Sequence, residues 1–222
     1  MAGVFIAFEG GEGAGKSTQS TLLAEALLRQ DYRVVPIREP GSTPLGDYLR
    51  NYLIGDLPVS DIAELLMFEA SRAELVAERI RPELETGAVV ICDRFAGSTI
   101  AYQGYGRGLD LEKIDLLNNL ATDGLYPDMT ILLDIDPAIG LERVNNRLFQ
   151  LALPMGDAPD RFEEETMAFH ERVRRGFLRQ AERNLDTWKR IDANHSIDAV
   201  AAAIWAVVNP LLPSQDLRLE TG

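Results

Sequence analysis

An α/β fold, a five-stranded parallel sheet flanked by helices, is predicted by three observations. Short apolar runs alternate with helical patterns along the chain, the order that makes parallel strands joined by crossover helices. The first run, Val4–Phe8, passes through a glycine-rich turn into a helical pattern that continues to about Gln30. Of 222 residues, 46% are hydrophobic and 26% charged, which suits one packed domain around a buried sheet.

Strands are expected at Val4–Phe8, Arg33–Arg38, Val89–Cys92, Met129–Asp134 and Arg190–Asp192. Helices are expected near 16–30, 44–54, 60–85, 110–123, 137–148, 160–186 and 196–208. A single domain spans 1–209, and residues 210–222 read as a frayed tail. The net charge of −13 argues against a general binder of nucleic acid or anionic membrane, which needs clustered Lys and Arg. Cys92 is the only cysteine, so no intrachain disulfide can form. No basic leader precedes the first strand, and no apolar run approaches the ~18 residues of a membrane span. A soluble, cytoplasmic protein is expected.

The turn after the first strand is Gly10-Gly11-Glu12-Gly13-Ala14-Gly15-Lys16-Ser17, followed by Thr18. This is G-x-x-x-x-G-K-S, the P-loop, between a strand and a helix. Its glycines let backbone N–H groups curl around a phosphate chain, and the helix start adds free donors and a positive dipole end. Lys16 can reach the outer phosphates and the Ser17 hydroxyl can bind Mg²⁺. Glu12, inside the cradle, is either a solvated loop side chain or a contact near Mg²⁺ or an acceptor hydroxyl.

In parallel sheets ligands bind beyond the carboxyl ends of the strands, so site residues are expected just after them. Arg38-Glu39-Pro40-Gly41 follows the second strand, and Arg50 lies in the next helix; each arginine is either solvated or an anion contact. The third helix carries an apolar stripe of Ile62, Leu65, Leu66, Ala73, Val76 and Ile80. Phe68 and Arg72, four apart to one side of it, either pack on each other or hold a flat base by stacking and edge hydrogen bonds. After the third strand, Asp93 has the Walker B shape for the Mg²⁺ shell, with a helix cap as the plain alternative. Arg94 beside it would face a second anion. Ser98, Thr99, Tyr102 and Gln103, then Gly104 to Gly108, read as a polar recognition loop. Asp134 has the same Walker shape but ranks behind Asp93 because no arginine follows it in sequence. Arg143, Arg147 and Arg161 flank the interrupted segment Leu148–Pro159, either as ordinary helix charge or as a lid over phosphates.

These residues resemble the thymidylate kinase family. The matching segments are Glu9 to Ser17, Arg38 to Gly41, Leu66-Met67-Phe68 with Arg72, Asp93-Arg94-Phe95 through Ala101-Tyr102-Gln103-Gly104, Pro127-Asp128, Leu132-Leu133-Asp134 and Asp160 to Glu163. The resemblance covers nearly the whole chain up to the tail and implies the fold of the P-loop nucleoside monophosphate kinases, with a lid at about 143–161. It implies that Phe68 stacks on thymine and that Arg72 and Thr99 read its edge. Tyr102 would sit against the sugar. Arg38, Arg50 and Arg94 would hold the acceptor phosphate, with Glu39, Ser98 and Gln103 in the same dTMP pocket. Glu12 and Asp93 would serve the sugar hydroxyl and the Mg²⁺ side. ATP would be the donor, and a homodimer the usual assembly. Ala14 stands where eukaryotic members carry an arginine, so the resemblance is to the bacterial type with basic residues in the lid. A GTPase would want Asn-Lys-x-Asp, which does not occur; a partner-dependent NTPase and another nucleoside monophosphate kinase are the other readings.

Overall fold

The computed structural model describes residues 3–55, 58–150 and 162–213, with backbone only for 147–150. Its strands are β1 (Val4–Glu9), β2 (Val34–Arg38), β3 (Val89–Asp93), β4 (Met129–Asp134) and β5 (Trp188–Asp192). Its helices are α1 (Lys16–Leu28), α2 (Pro44–Leu53), α3 (Asp61–Leu75), α4 (Arg81–Glu85), α5 (Ala96–Thr99), α6 (Leu111–Thr122), α7 (Pro137–Gln150), α8 (Met167–Arg183) and α9 (Ile197–Val208). All five strands pair in parallel, in the order β2-β3-β1-β4-β5. β1 is central and buried at every position, which is why it reads as an unbroken apolar run. Ile6, Phe8, Ile131 and Leu133 meet α1 and α9 residues on one face. Phe5, Ala7, Val90 and Cys92 meet Leu75, Ile80 and Phe95 on the other. A third cluster joins Tyr102, Phe162, Phe169, Val173 and Phe177. The register sets Phe8 and Arg38 beside Asp93 at the carboxyl edge.

Several expectations are corrected. The helix expected at 60–85 is α3, a π-wound turn at Val76–Ile80, and α4. Ile62, Leu66 and Ala73 of its expected apolar stripe are exposed, whereas Glu64, Glu69 and Arg72 are buried. Leu65, Val76 and Ile80 of the stripe are buried as expected, Val76 and Ile80 with Leu75 in the hydrophobic core, while the buried Glu64, Glu69 and Arg72 serve a polar network described below. The expected recognition loop is helical: α5 runs into a π-wound stretch at Ile100–Gly106, a winding often found at functional sites. Its glycines serve close packing. A Cβ at Gly106 would come within 2.7 Å of the Phe169 ring, and one at Gly97 within 2.8 Å of Trp188. The longest helix starts at Met167, where the Thr166 hydroxyl caps it by accepting from the Phe169 N–H. Residues 162–165 form a turn instead. Residues 148–150 belong to α7. The start of the expected tail is packed: Asn209–Leu211 is a 3₁₀ turn, Leu212 touches the core, and the Tyr32 hydroxyl donates to the Pro213 carbonyl. Residues 151–161, including Arg161, and 214–222 lie outside the described residues.

Candidate active site

The phosphate loop is built by glycine geometry where β1 ends. Gly13 and Gly15 adopt φ of 66° and 89°, values that glycine reaches without Cβ strain. Gly13 also lies against α7: a Cβ there would drive into the Gly140 carbonyl, and one at Gly140 into that of Glu12. α7 is thereby seated directly on the loop. α1 opens with neither a side-chain cap nor an acid in its first turn, which leaves its N–H groups and dipole for an anion. Lys16 reaches back over the loop and donates to the Gly10 and Gly11 carbonyls at 3.1 and 2.8 Å.

Burial, and then Arg94 nearby, lower the Lys16 ammonium from its ordinary value to about 8. The folded value lies below the unfolded one. Charging Lys16 therefore costs the empty protein stability below pH 8, and that cost is relieved as pH rises from about 8 toward 10.5. A polyphosphate beside Lys16 restores its charge. Nucleotide binding at pH 8.5 is therefore expected to take up a fraction of a proton, and binding at pH 6.5 almost none. Calorimetry in two buffers of different ionisation enthalpy measures this; equal uptake at both pH values would refute the Lys16 contact.

The cleft in front of the loop has a volume of about 310 Å³. It is lined by Glu12, Lys16 and Ser17 of the loop and by Arg38, Arg50, Phe68, Thr99, Tyr102 and Gln103. Asp93 and Arg94 belong to the same lining. The Ser17 hydroxyl donates to Asp93 Oδ2 at 2.5 Å, so the two expected metal oxygens are adjacent. Arg94, held at a φ of 71°, donates to the Gly10 carbonyl, to Ser98 Oγ and to Glu12 at 2.8 Å. Its guanidinium lies 5.0 Å from the centre of the Tyr102 ring, and the Tyr102 hydroxyl donates to the same Glu12 oxygen. Burial alone would raise the Glu12 carboxyl, but Arg94 and Lys16 outweigh it and hold it at about 2. Glu12 is thus a fixed anion that aims Arg94 and Tyr102.

Glu9, expected just after the first strand and in a matching segment but without a role, is the last residue of β1. It is buried and accepts from the N–H groups of Phe95 and Ser98 at 3.0 and 2.9 Å and from Ser98 Oγ at 2.6 Å. It anchors the turn that carries Asp93 and Arg94. Burial pushes its carboxyl up to about 7 against those bonds.

Arg72 is not in the cleft wall. It is fully buried, and its five N–H donors go to Glu39 twice, Glu69, Asn118 and Thr99. Glu69, which the sequence left without a role, is one of its counter-ions. Thr99 Oγ1 accepts from Arg72 at 2.7 Å and itself lines the cleft. With that lone pair engaged, the hydroxyl proton is available to an acceptor in the cleft. Phe68 lies 6.2 Å from Phe162, ring centre to ring centre. Gln103 is held by Glu64 at 2.7 Å. Arg107, which bridges Glu64 and Glu165, lies 5.6 Å from the Phe162 ring centre. Phe162 and Glu163 of the cleft wall had been noted only as part of a motif.

Asp134 ranks behind Asp93 for a reason opposite to the expected one. It is bound by two arginines, Arg174 at 2.7 Å and Arg190 at 2.6 Å, supplied by α8 and β5. Burial would raise its carboxyl, but these bonds together lower it, and a carboxylate so occupied is unsuited to a metal.

Arg143 points away from the cleft and donates to the Ala193 carbonyl at 3.1 Å. It lines a second cavity, of about 430 Å³, with Gly13, Thr18, Ala193, His195 and Ser196. The residues after β5 are not among the site residues expected from the sequence. The Arg147 side chain lies outside the described residues.

The glycine-rich loop thus shares one cleft with Arg38, Arg50 and Arg94 and with the rings of Phe68, Tyr102 and Phe162. The thymidylate kinase family model matches residues 8–204. The chain belongs to the thymidylate kinase family. It is 49% identical to a thymidylate kinase of Synechococcus sp. (strain JA-2-3B'a(2-13)) over 210 residues, 95% of this chain and 96% of that one. It is 48% identical to that of Gloeobacter violaceus over 218 residues, 98% and 100% of the two chains. The crystal structure of thymidylate kinase from Ehrlichia chaffeensis superimposes with a TM-score of 0.75 at 38% identity, covering 94% of this chain and 99% of that one. The family match and the sheet bear out the fold expected from the P-loop and the strand alternation.

Proposed function

We propose that this member of the thymidylate kinase family transfers the γ-phosphoryl group of ATP to the 5′-phosphate of dTMP, giving ADP and dTDP. The observation that carries this reading is the junction in one cleft of Ser17, which touches Asp93, with Arg94, one residue on, which Glu12 holds and which would meet the acceptor phosphate. An acceptor phosphate oxygen attacks the γ-phosphorus in line as the bond to the ADP oxygen breaks. Such a reaction needs positioning and charge neutralisation more than covalent chemistry.

The P-loop backbone from Gly10 through Gly15, with Lys16, Ser17 and Thr18, would hold the ATP phosphates. Arg143 and the residues after β5 would border its nucleoside. Arg38, Arg50 and Arg94 would hold the acceptor phosphate. Phe68 would stack on thymine, and Thr99, oriented by Arg72, would meet its edge. Tyr102 would crowd the sugar 2′ position. Ser17 and Asp93 are hard oxygen donors side by side and fit Mg²⁺, which keeps other positions for water and phosphates. When bound, Mg²⁺ would neutralise phosphate charge.

Homodimerisation through α2, α3 and α6 is part of the same proposal. Tyr48, Ile62, Leu66, Leu116 and Leu120 are between 49% and 75% exposed on these neighbouring helices, an apolar face of the kind that marks an interface. No helix among the described residues is long and apolar enough to cross a membrane, and we place the enzyme in the cytoplasm.

ADP release from ATP–Mg²⁺ with dTMP, dUMP, dCMP, dGMP, UMP and AMP offered separately tests the reading. The thymine methyl is worth about 10–200-fold in a fitted pocket, so dTMP is expected first, dUMP weaker by that range, and UMP weaker still. Preference for a different monophosphate would retain a P-loop kinase and overturn the thymine pocket. ADP release independent of any acceptor would point to an NTPase.

A further inference from the structure

The segment from Ala96 to Gly106 has two working faces. Ser98, Thr99, Tyr102 and Gln103 face the cleft, whereas Gly97, Ile100 and Tyr105 face a third cavity of about 470 Å³. This cavity is larger than the cleft and has no part in the proposed reaction. Tyr105, Tyr126 and Trp188 supply flat walls. Asn118 belongs to its lining and is 2% exposed; its Oδ1 accepts from Arg72, and its Nδ2 has no hydrogen-bond partner. A buried amide donor without a partner is costly, and an acceptor in the cavity would satisfy it. Arg183, also in the lining, is exposed and makes no ion pair among the described residues. Arg179 is beside it, paired with Glu182 at 3.1 Å, and Asp115 is the acid from α6.

We propose that this cavity is a second small-molecule site, for a planar aromatic acid that accepts a hydrogen bond from Asn118 and pairs its anionic group with Arg183. The occupant would touch the far side of the acceptor machinery at two places. Asn118 leads through Arg72 to Thr99, and Glu9, also in the lining, holds the turn of Arg94. By satisfying Asn118 it would hold the Arg72 network in place and tighten dTMP binding, by about fivefold, with the reciprocal effect that linkage requires. The tightening rests on the proposed dTMP pocket; binding to the cavity does not.

Kynurenate is a suitable probe because it is a planar bicycle with a ring carbonyl and a carboxylate. Its binding to the full chain is measured by calorimetry and saturation-transfer NMR, without turnover, in the presence and absence of saturating dTMP. Saturable binding with a Kd below about 1 mM, retained with dTMP, is expected. Arg183→Glu and Tyr126→Ala change exposed residues, and melting temperatures check that both variants stay folded. Each should weaken binding, the charge reversal by about tenfold or more. Absence of saturable binding, displacement by dTMP, or affinity unchanged in both variants would each overturn the site. If dTMP itself fails to bind while kynurenate binds and responds to the variants, the acceptor reading fails and the site stands.

Discussion

Arg72→Met is expected to lower the melting temperature by about 6–20 °C, a far larger effect than loss of one base contact would produce. The guanidinium is completely buried between Glu39 and Glu69, which are themselves 3% and 5% exposed. Removing one partner of a buried ion pair leaves its counter-charges uncompensated and costs about 3–5 kcal/mol. In a chain of 222 residues each kcal/mol moves the midpoint by about 2–4 °C. Burial raises both carboxyls from their ordinary range even with Arg72 present, so without it they would protonate rather than remain as bare anions. Arg72→Met should therefore be rescued by adding Glu39→Gln and Glu69→Gln, because the cycle removes the stranded charge along with the cation. Thermal denaturation of the four proteins measures this. A melting temperature unchanged by Arg72→Met, with only the dTMP KM raised, would reduce Arg72 to a reader of the base edge and refute the structural role.

The buried network also marks where reading from sequence stops. Period and spacing expose β1, the P-loop and the acid-arginine pair Asp93-Arg94, because each is a local pattern whose chemistry depends on its neighbours in the chain. Phe68 and Arg72 are four apart on one helix, and spacing alone makes them companions on a surface. What buries Arg72 comes from Glu39 on the β2 loop, Thr99 on α5 and Asn118 on α6, which no helical period predicts. Asp134 fails in the same way: its arginines lie 40 and 56 residues downstream. The polar run Ser98–Gly108 reads as a loop because so many polar groups follow a strand-end acid, and its glycines have low helix propensity. Here Gly97, Gly104 and Gly106 lie where other side chains press against the helix, so packing overrides propensity. The residues after β5 were within reach, since the strand-end rule that pointed to Arg38 and Asp93 applies equally to Ala193 and His195.

Arg143→Ala and Arg147→Ala are expected to fail in different ways, although the two residues are one helical turn apart and carry the same charge. α7 is seated on the phosphate loop through Gly140 and Gly13, so a residue's place along it sets what it can reach. Arg143 is already committed to the Ala193 carbonyl, in the cavity beside Gly13 and Thr18. Its loss should raise the KM for ATP several-fold and leave kcat within about threefold, the signature of binding shared by ground and transition states. Arg147 and Arg161, which flank the proposed lid in sequence, are the arginines that the proposal leaves for the transferring phosphoryl group. An arginine that meets that group only in the transition state is worth about 10³–10⁵ in kcat. At least one of Arg147→Ala and Arg161→Ala should therefore lose that much turnover while dTMP binding stays nearly intact. Lysine at the same position should restore little, because a point charge lacks the planar fork that spans two phosphoryl oxygens. Steady-state kcat and KM for both substrates, with dTMP affinity from calorimetry, separate the cases. Near-normal kcat in all three alanine variants would remove the lid from the reaction and leave Lys16 and Arg94 as the cations at the phosphoryl group.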